Sequence, residues 1–333
     1  MQLSAFSQTV KGELNSFAWA QWAQLGVFAP SDRSDRAATD PEALLLFTFE
    51  VGRDDPRLFD EVLDWLLTNQ ALISVQRLRN LCVDDEDRAL VEGALAWVAR
   101  WQPQARFASA RDVLGNREPR PLFRGSKLQV RNPDPAFARV GLLKPATEPS
   151  KKSRRPDPLA PINFAFRMRQ LFGVGSRAEV VRYLIANPAS DNSAQAVAIA
   201  AGYAKRNISE TLSALSASRL VTVYEHGNEH RYYLDRAAWG QLLGFTPETW
   251  PTHRDWLQLL RALRRVSRWL AEPRLVQLTP YVLASEAREL VSQIEADLNF
   301  SGIPVSATTD AAGEQYWDTF ADAVQRALAS LKS

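Results

Sequence analysis

The stretch SAQAVAIAAGYAKRNISETLSALSASRLVTVYEHGNEHRYYL, residues 193–234, decides the fold of this chain. Its first part, Ser193–Ala201, predicts a short alanine-rich helix. Gly202 follows at the point where a sharp turn between two helices requires a positive φ. A further helix is predicted at residues 204–217, because three apolar residues recur there at helical spacing: Ile208, Leu212 and Leu215.

The residues on either side of these two helices complete the pattern. Upstream, Ser176 predicts the N-cap of a helix that ends before Pro188. Downstream, Leu220–Tyr224 and Arg231–Leu234 predict two β-strands, with the polar segment 225–230 and its Gly-Asn pair between them. The predicted order of helix, helix, turn, helix and hairpin is that of a winged helix.

The helix at residues 204–217 has a polar outer side. When its apolar residues face inward, the outer side carries Lys205, Arg206, Asn207, Ser209, Glu210 and Ser213. A helix with such donors fits the major groove of B-DNA, which is ~12 Å wide. The sequence therefore predicts a helix that reads DNA.

The run Ala196–Leu234 resembles the winged helix-turn-helix of MarR- and ArsR-type bacterial transcription regulators. The matching features are Val197-Ala198, Gly202–Lys205, Ile208-Ser209, Leu212–Leu215, Ser218–Val221 and the hairpin to Leu234. The resemblance lies within residues 161–240, under a quarter of the chain. Family members usually have glycine where Arg219 stands, and the flanking regions do not match them.

This resemblance implies that helix 204–217 reads the major groove and that the wing, residues 225–231, contacts backbone or minor groove. Arg206 is then expected to pair with guanine and Asn207 with adenine, while Lys205 contacts phosphate. The wing contacts implied are Asn228, His230 and Arg231. Two copies reading half-sites about one helical turn apart imply a homodimer.

Outside this region the chain predicts a mainly α fold. Residues 1–110 predict a helical N-terminal domain, in which Asp40 and Asp55 each precede a proline as helix N-caps. The stretch Phe59–Leu81 has two interpretations: two packed helices, or a second, degenerate helix-turn-helix.

Residues 111–160 predict a basic, proline-rich linker. Between Arg111 and Pro156 lie seven prolines and twelve Arg or Lys against four acids, so this segment carries +8 and the rest of the chain −6. A solvated connector is the simplest interpretation. The alternatives are an arm that contacts phosphates, and docking of its apolar residues onto a neighbouring domain.

Residues 241–333 predict a helical C-terminal region that includes an apolar stripe along Trp256–Leu270. Such a stripe is suited to dimerisation, and an internal core is the alternative use of it.

The sequence lacks the motifs that mark several classes of enzyme. The sequence has no Walker motif, no Gly-x-Ser-x-Gly and no His-Glu-x-x-His, so neither an enzyme nor a cofactor is predicted. One cysteine, Cys82, and three histidines argue against a metal site. No apolar run reaches the ~20 residues of a membrane span and no secretory signal is recognisable, so we expect a cytoplasmic protein.

The sequence thus predicts a sequence-specific regulator of transcription, a repressor that binds double-stranded DNA. The alternatives are an adaptor or antitoxin-like protein that uses the winged helix to dock a protein partner, and an enzyme of unrecognised type.

Overall fold

The computed structural model describes residues 3–29, 35–102, 107, 118–125, 129–187, 192–227, 229–308 and 313–332. Within these ranges the protein is mainly helical, and none of the described helices is long and apolar enough to cross a membrane. The helices are α1 Leu3–Gln24, α2 Pro41–Val51, α3 Pro56–Asn69, α4 Val75–Asn80, α5 Asp85–Trp101, α6 Pro135–Ala138, α7 Phe164–Phe172, α8 Ser176–Ala186, α9 Ala194–Ala201, α10 Lys205–Ala217, α11 Arg236–Leu243, α12 Trp256–Leu270, α13 Pro280–Phe300 and α14 Tyr316–Ser330. The strands are β1 Arg120–Pro121, β2 Leu142–Leu143, β3 Thr222–His226 and β4 Glu229–Tyr233.

Helix α2 lies at the centre of the larger of two hydrophobic cores. Every one of its residues is buried, and it packs against α12 as well as against α1, α3 and α5. The C-terminal helices α13 and α14 pack on α12 and close the same core. We call this part, α1–α6 with α12–α14, the helical body. The helices predicted as separate N-terminal and C-terminal regions therefore share one core.

Helix starts in the body follow local signals in the sequence. The Asp40 carboxylate accepts a hydrogen bond from the backbone N–H of Ala43 at 3.1 Å, and Asp55 does the same for Leu58 at 3.1 Å. The predicted N-caps of α2 and α3 are thus confirmed. Ser176 differs from its prediction: it is the first residue of α8, and Gly175 occupies the N-cap position.

The stretch Phe59–Leu81 contains most of α3, a 3₁₀ turn and α4, and both helices pack on α2 and α5. Helix α4 has six residues, and its Arg77 is buried in ion pairs. A helix this short, with Arg77 turned inward, does not present the long polar face of a recognition helix. The two-helix interpretation is the one that the structure supports.

The described part of the basic segment lies against the helical body. Arg124 pairs with Glu50 and Asp54, and the buried Lys144 ammonium lies 2.7 Å from the carboxylate of Asp60. Leu122 and Phe137 are fully buried in the core of the body. The interpretation as a solvated connector is therefore wrong for these residues, because their apolar and cationic side chains have partners on α2, α3 and α5. Residues 108–117 and 126–128 lie outside the described ranges.

The apolar stripe of α12 belongs to the internal core. Trp256, Leu260, Leu263 and Val266 are each at most 2% exposed because they face α2 and its neighbours. The stripe is therefore not a surface on which a second copy could dock.

The second, smaller core belongs to residues 164–250, which we call the central unit. Helices α7–α11 surround it, and the antiparallel hairpin β3–β4 covers one side. Ile208, Leu212 and Leu215 of α10 point into this core together with Val197 and Ala201 of α9. The periodicity of the sequence predicted that inward face.

A short extended segment of the body, residues 36–39, holds both ends of the central unit. The N–H of Ala38 donates to the carbonyl of Thr252 at 2.9 Å, and the N–H of Thr252 donates to the carbonyl of Arg36 at 2.9 Å. The N–H of Thr39 donates to the carbonyl of Ile162 at 2.9 Å.

Candidate nucleic-acid interface

The outer side of α10 is a polar, solvent-exposed face. The face comprises Lys205, Arg206, Asn207, Ser209, Glu210 and Ser213, of which Ser209 is half-buried and the others are exposed. Thr211, on the border of this face, is tied to α8, since its hydroxyl lies 2.8 Å from that of Ser176. The structure thus brings together the six residues that the sequence placed on this helix.

The start of α10 has no side-chain cap. Ala204 occupies the N-cap position, so the first N–H groups of the helix have no side-chain acceptor. Unsatisfied N–H groups and the helix dipole favour an anion at this end. Lys205 and Arg206 add positive charge to the same turn.

Arg206 is balanced by an acid one turn further along. Its Nε donates to Glu210 Oε1 at 2.9 Å, and the two side chains are 88% and 64% exposed. An exposed pair at this spacing is weak, so little energy is needed to separate Arg206 from Glu210. The arginine can therefore be redirected to another acceptor.

The hairpin differs from the predicted wing. Its strands pair Thr222 with Tyr233 and His226 with Glu229, so the connection is a tight turn with Gly227 at φ +60°. Such a turn needs two residues, and the strands therefore extend into the segment predicted as a loop. His230 and Arg231 consequently lie within β4.

Of the predicted wing contacts, His230 is exposed and Arg231 is mostly covered. The Arg231 guanidinium is 17% exposed and lies 2.6 Å from the carboxylate of Glu229. The backbone of Arg231 also forms an isolated β-bridge with Ser193, at the start of α9. Asn228 lies outside the described residues.

The turn between α9 and α10 is pressed against the helical body. Gly202 has φ +65°, and a Cβ built there would lie 2.7 Å from Leu257 and 3.0 Å from Leu81. The last carbonyls of α9 accept hydrogen bonds from the body: Ala201 from Arg77 Nε at 2.8 Å, and Ile199 from Gln258 Nε2 at 2.8 Å. These contacts fix the direction of α9, and through the turn that of α10.

A cluster of six buried ionisable side chains joins the central unit to the body. We call it the buried ion cluster; it consists of Asp40, Glu42, Arg77, Arg169, Glu179 and Arg182. Glu42 is its centre, since Arg77 and Arg169 both donate to its Oε2 at 2.7 Å. Arg169 also reaches Glu179 at 2.7 Å, and Glu179 accepts from Arg182 at 2.9 Å. The first three residues belong to the body and the last three to α7 and α8.

The arginines of this cluster stabilise the ionised form of its carboxylates. Burial alone would raise the pKa of the Glu179 carboxyl, but Arg169, Arg182 and Arg77 outweigh it and hold that pKa far below its usual range. Burial likewise opposes the lowered pKa of Asp40, which Arg77 brings about. Both carboxylates are therefore ionised at neutral pH.

The residues that anchor the interface were missed by sequence reasoning. Arg77, Arg169 and Arg182 resemble ordinary surface arginines in the sequence, and Gln258 carries no motif. Arg77 and Arg169 contact residues more than 100 positions away, Ala201 and Glu42, and Gln258 contacts Ile199, 59 positions away.

The described part of the chain offers neither a cluster of metal ligands nor a reactive cysteine. No group of three or more His, Cys, Asp or Glu side chains is placed there to hold a metal ion. Burial, with Asp87 nearby, raises the pKa of the Cys82 thiol to about 12, so its thiolate is scarce at neutral pH.

Searches of protein-family models, of curated proteins and of solved structures found no match to this chain.

Proposed function

We propose that this protein is a sequence-specific regulator of transcription that binds double-stranded DNA, acting as a repressor. In this proposal the central unit is a winged helix-turn-helix, with α9 and α10 as the two helices of the motif and the hairpin β3–β4 as the wing. The observation that carries the proposal is the division of α10 into a buried apolar side and an exposed side with hydrogen-bond donors.

Individual roles follow from chemistry. Arg206 can donate two parallel hydrogen bonds to guanine, and Asn207 can pair in the same way with adenine. Lys205, beside the uncapped helix start, suits a phosphate. Ser209, Glu210 and Ser213 lie further along the same face and complete the reading surface.

The first test is the response of binding to salt. A protein that neutralises several phosphates binds random duplex DNA less tightly as salt rises, because counterions are released on binding. We expect the purified protein to shift a random duplex in low salt and to lose most of that binding at ~0.2 M salt. Absence of any salt-dependent binding would remove the basis of the proposal.

Arg206→Ala and Asn207→Ala are each expected to weaken binding to a selected operator by ~1–3 kcal/mol, because each removes a bidentate base contact. Fluorescence anisotropy with an operator obtained by binding-site selection measures the effect. Arg326→Ala is the matched control: Arg326 forms the same kind of exposed pair, with Asp322 four residues earlier, on α14. Wild-type affinity in both α10 variants would show that this helix is not the reader.

A second candidate function is docking of a protein partner by the same face. It is favoured by the balanced charges, Arg206 with Glu210 and Arg231 with Glu229, and by the exposed Leu220 and Tyr224 beside them. Interfaces between proteins are enriched in aromatic residues and arginine and have a polar rim.

Glu210→Gln separates the two candidates. On DNA the change removes a negative charge that faces phosphates and releases Arg206, so we expect tighter binding to random duplex, by several-fold at low salt. Asp322→Asn, which removes the carboxylate of the equivalent pair on α14, should leave DNA affinity unchanged. Unchanged or weaker DNA binding by Glu210→Gln would favour the docking function.

We further propose that the regulator acts as a homodimer, since two copies of a small motif are needed to specify an operator. The described α12 stripe is internal, so the contact must involve other surfaces. Light scattering at micromolar concentration measures the molecular mass and so distinguishes a homodimer from a monomer.

A further inference from the structure

Arg219, which directly follows α10, has an unusual backbone conformation. Among the described residues, two that are not glycine have a positive φ: Lys151 and Arg219, each at +58°. A side chain in this left-handed region is strained, and glycine would avoid the strain. The hydrogen bonds of the turn, such as Leu220 N–H to Leu215 O at 3.0 Å, use the backbone alone. The turn itself therefore gives no reason for an arginine.

The side chain of Arg219 is exposed and, within the described part of the chain, has no acidic partner. The same is true of Lys205 at the other end of the helix. By contrast, Arg206 is paired with Glu210, and Arg231 with Glu229. Lys205 and Arg219, which are thus free to meet an external anion, lie at the two ends of α10.

The length of α10 suits a duplex. Its thirteen residues span ~20 Å at a rise of 1.5 Å per residue, with Lys205 at one end and Arg219 two residues beyond the other. The major groove is ~12 Å wide and is bordered by a phosphate backbone on each side. A helix of this length that lies across the groove therefore carries its two ends toward opposite backbones.

We propose that Arg219 binds a backbone phosphate on the side of the major groove opposite to the phosphate bound by Lys205. This inference rests on the proposed DNA-binding function and adds to it a contact beyond the reading helix and the hairpin turn. Arg219 lies between these two parts, three residues before β3 begins. The strained backbone is retained because the guanidinium contributes to binding.

The test compares Arg219→Gly and Arg219→Lys with the wild type, all as full-length proteins, on a fluorescent random duplex between 0.05 and ~0.2 M salt. We expect Arg219→Gly to flatten the slope of log affinity against log salt by ~0.9, as for one lost phosphate contact. Arg219→Lys should keep the slope. The thermal midpoint of Arg219→Gly should equal or exceed that of the wild type, because glycine relieves the strain.

Lys151→Gly is the matched control. It makes the same kind of change at the same φ, on a segment whose backbone N–H groups at Ser150 and Lys151 are held by Asp64 of α3. We expect it to leave the salt slope unchanged. Equal flattening by Lys151→Gly and Arg219→Gly would overturn the proposal, because general surface charge would then explain both.

Two other results also overturn it, in distinguishable ways. If Arg219→Gly keeps the wild-type slope while Lys205→Ala flattens it, DNA binding stands and the Arg219 contact does not. If the wild type shows no salt-dependent DNA binding, the proposed function fails and the contact fails with it.

Discussion

Glu42→Gln is expected to lower the free energy of unfolding by ~3–5 kcal/mol, because it leaves buried guanidinium groups with too little negative charge. Glu42 is fully buried and accepts hydrogen bonds from Arg77, from Arg169 and from the backbone N–H of Ser74. Glutamine has nearly the same size, but its amide group would face the arginines as a donor. The loss is a large fraction of the 5–15 kcal/mol that typically stabilises a folded protein.

Urea unfolding followed by tryptophan fluorescence measures this loss, since ten tryptophans are distributed along the chain. Asp322→Asn is the control, because it removes the carboxylate of an exposed pair with Arg326 on α14. That change should alter the stability by less than ~0.5 kcal/mol. A Glu42→Gln variant as stable as the control would show that the buried ion cluster contributes little to folding.

Gly202→Ala is expected to cost ~2–5 kcal/mol of stability, from two separate causes. Alanine at φ +65° is strained by ~1–2 kcal/mol, and its Cβ would press on Leu257 and Leu81 at 2.7 and 3.0 Å. Overpacking of this kind costs a further ~1–3 kcal/mol, even though both contacts are ends of flexible leucines.

Gly244→Ala isolates the first of these causes. Gly244 also follows a helix in the left-handed conformation, at φ +68°, but a Cβ there would meet nothing within 4 Å. We expect this variant to lose only ~1–2 kcal/mol in the same urea experiment. Equal losses in the two variants would mean that the body does not press on the turn between α9 and α10.

Local features of this fold could be predicted from the sequence. The N-caps Asp40 and Asp55, the inward face of α10 and the glycine at the turn each depend on a few neighbouring residues. The candidate interface was found for the same reason, since all of α10 lies within thirteen residues.

The long-range features could not be predicted. The contact between α2 and α12 joins helices about 200 residues apart, and no periodicity indicates which two apolar faces meet. Charge was equally ambiguous. The +8 of the basic segment favoured a solvated linker or a phosphate arm over docking on a neighbouring domain, but Arg124 and Lys144 face carboxylates of the body. A count of charges does not show which of them have partners.

The segment at residues 36–39, which binds both Ile162 and Thr252, has a consequence for synthesis of the protein. It places the entry and exit of the central unit side by side, so that unit is an insertion between two halves of the body. On the ribosome, α2 emerges about 200 residues before α12, a delay of roughly 10–40 s at ordinary rates of translation. The central unit can fold during this interval, while the most apolar helix of the body still lacks its main partner. The face of α2 that packs on α12 is therefore left uncovered until α12 has been made.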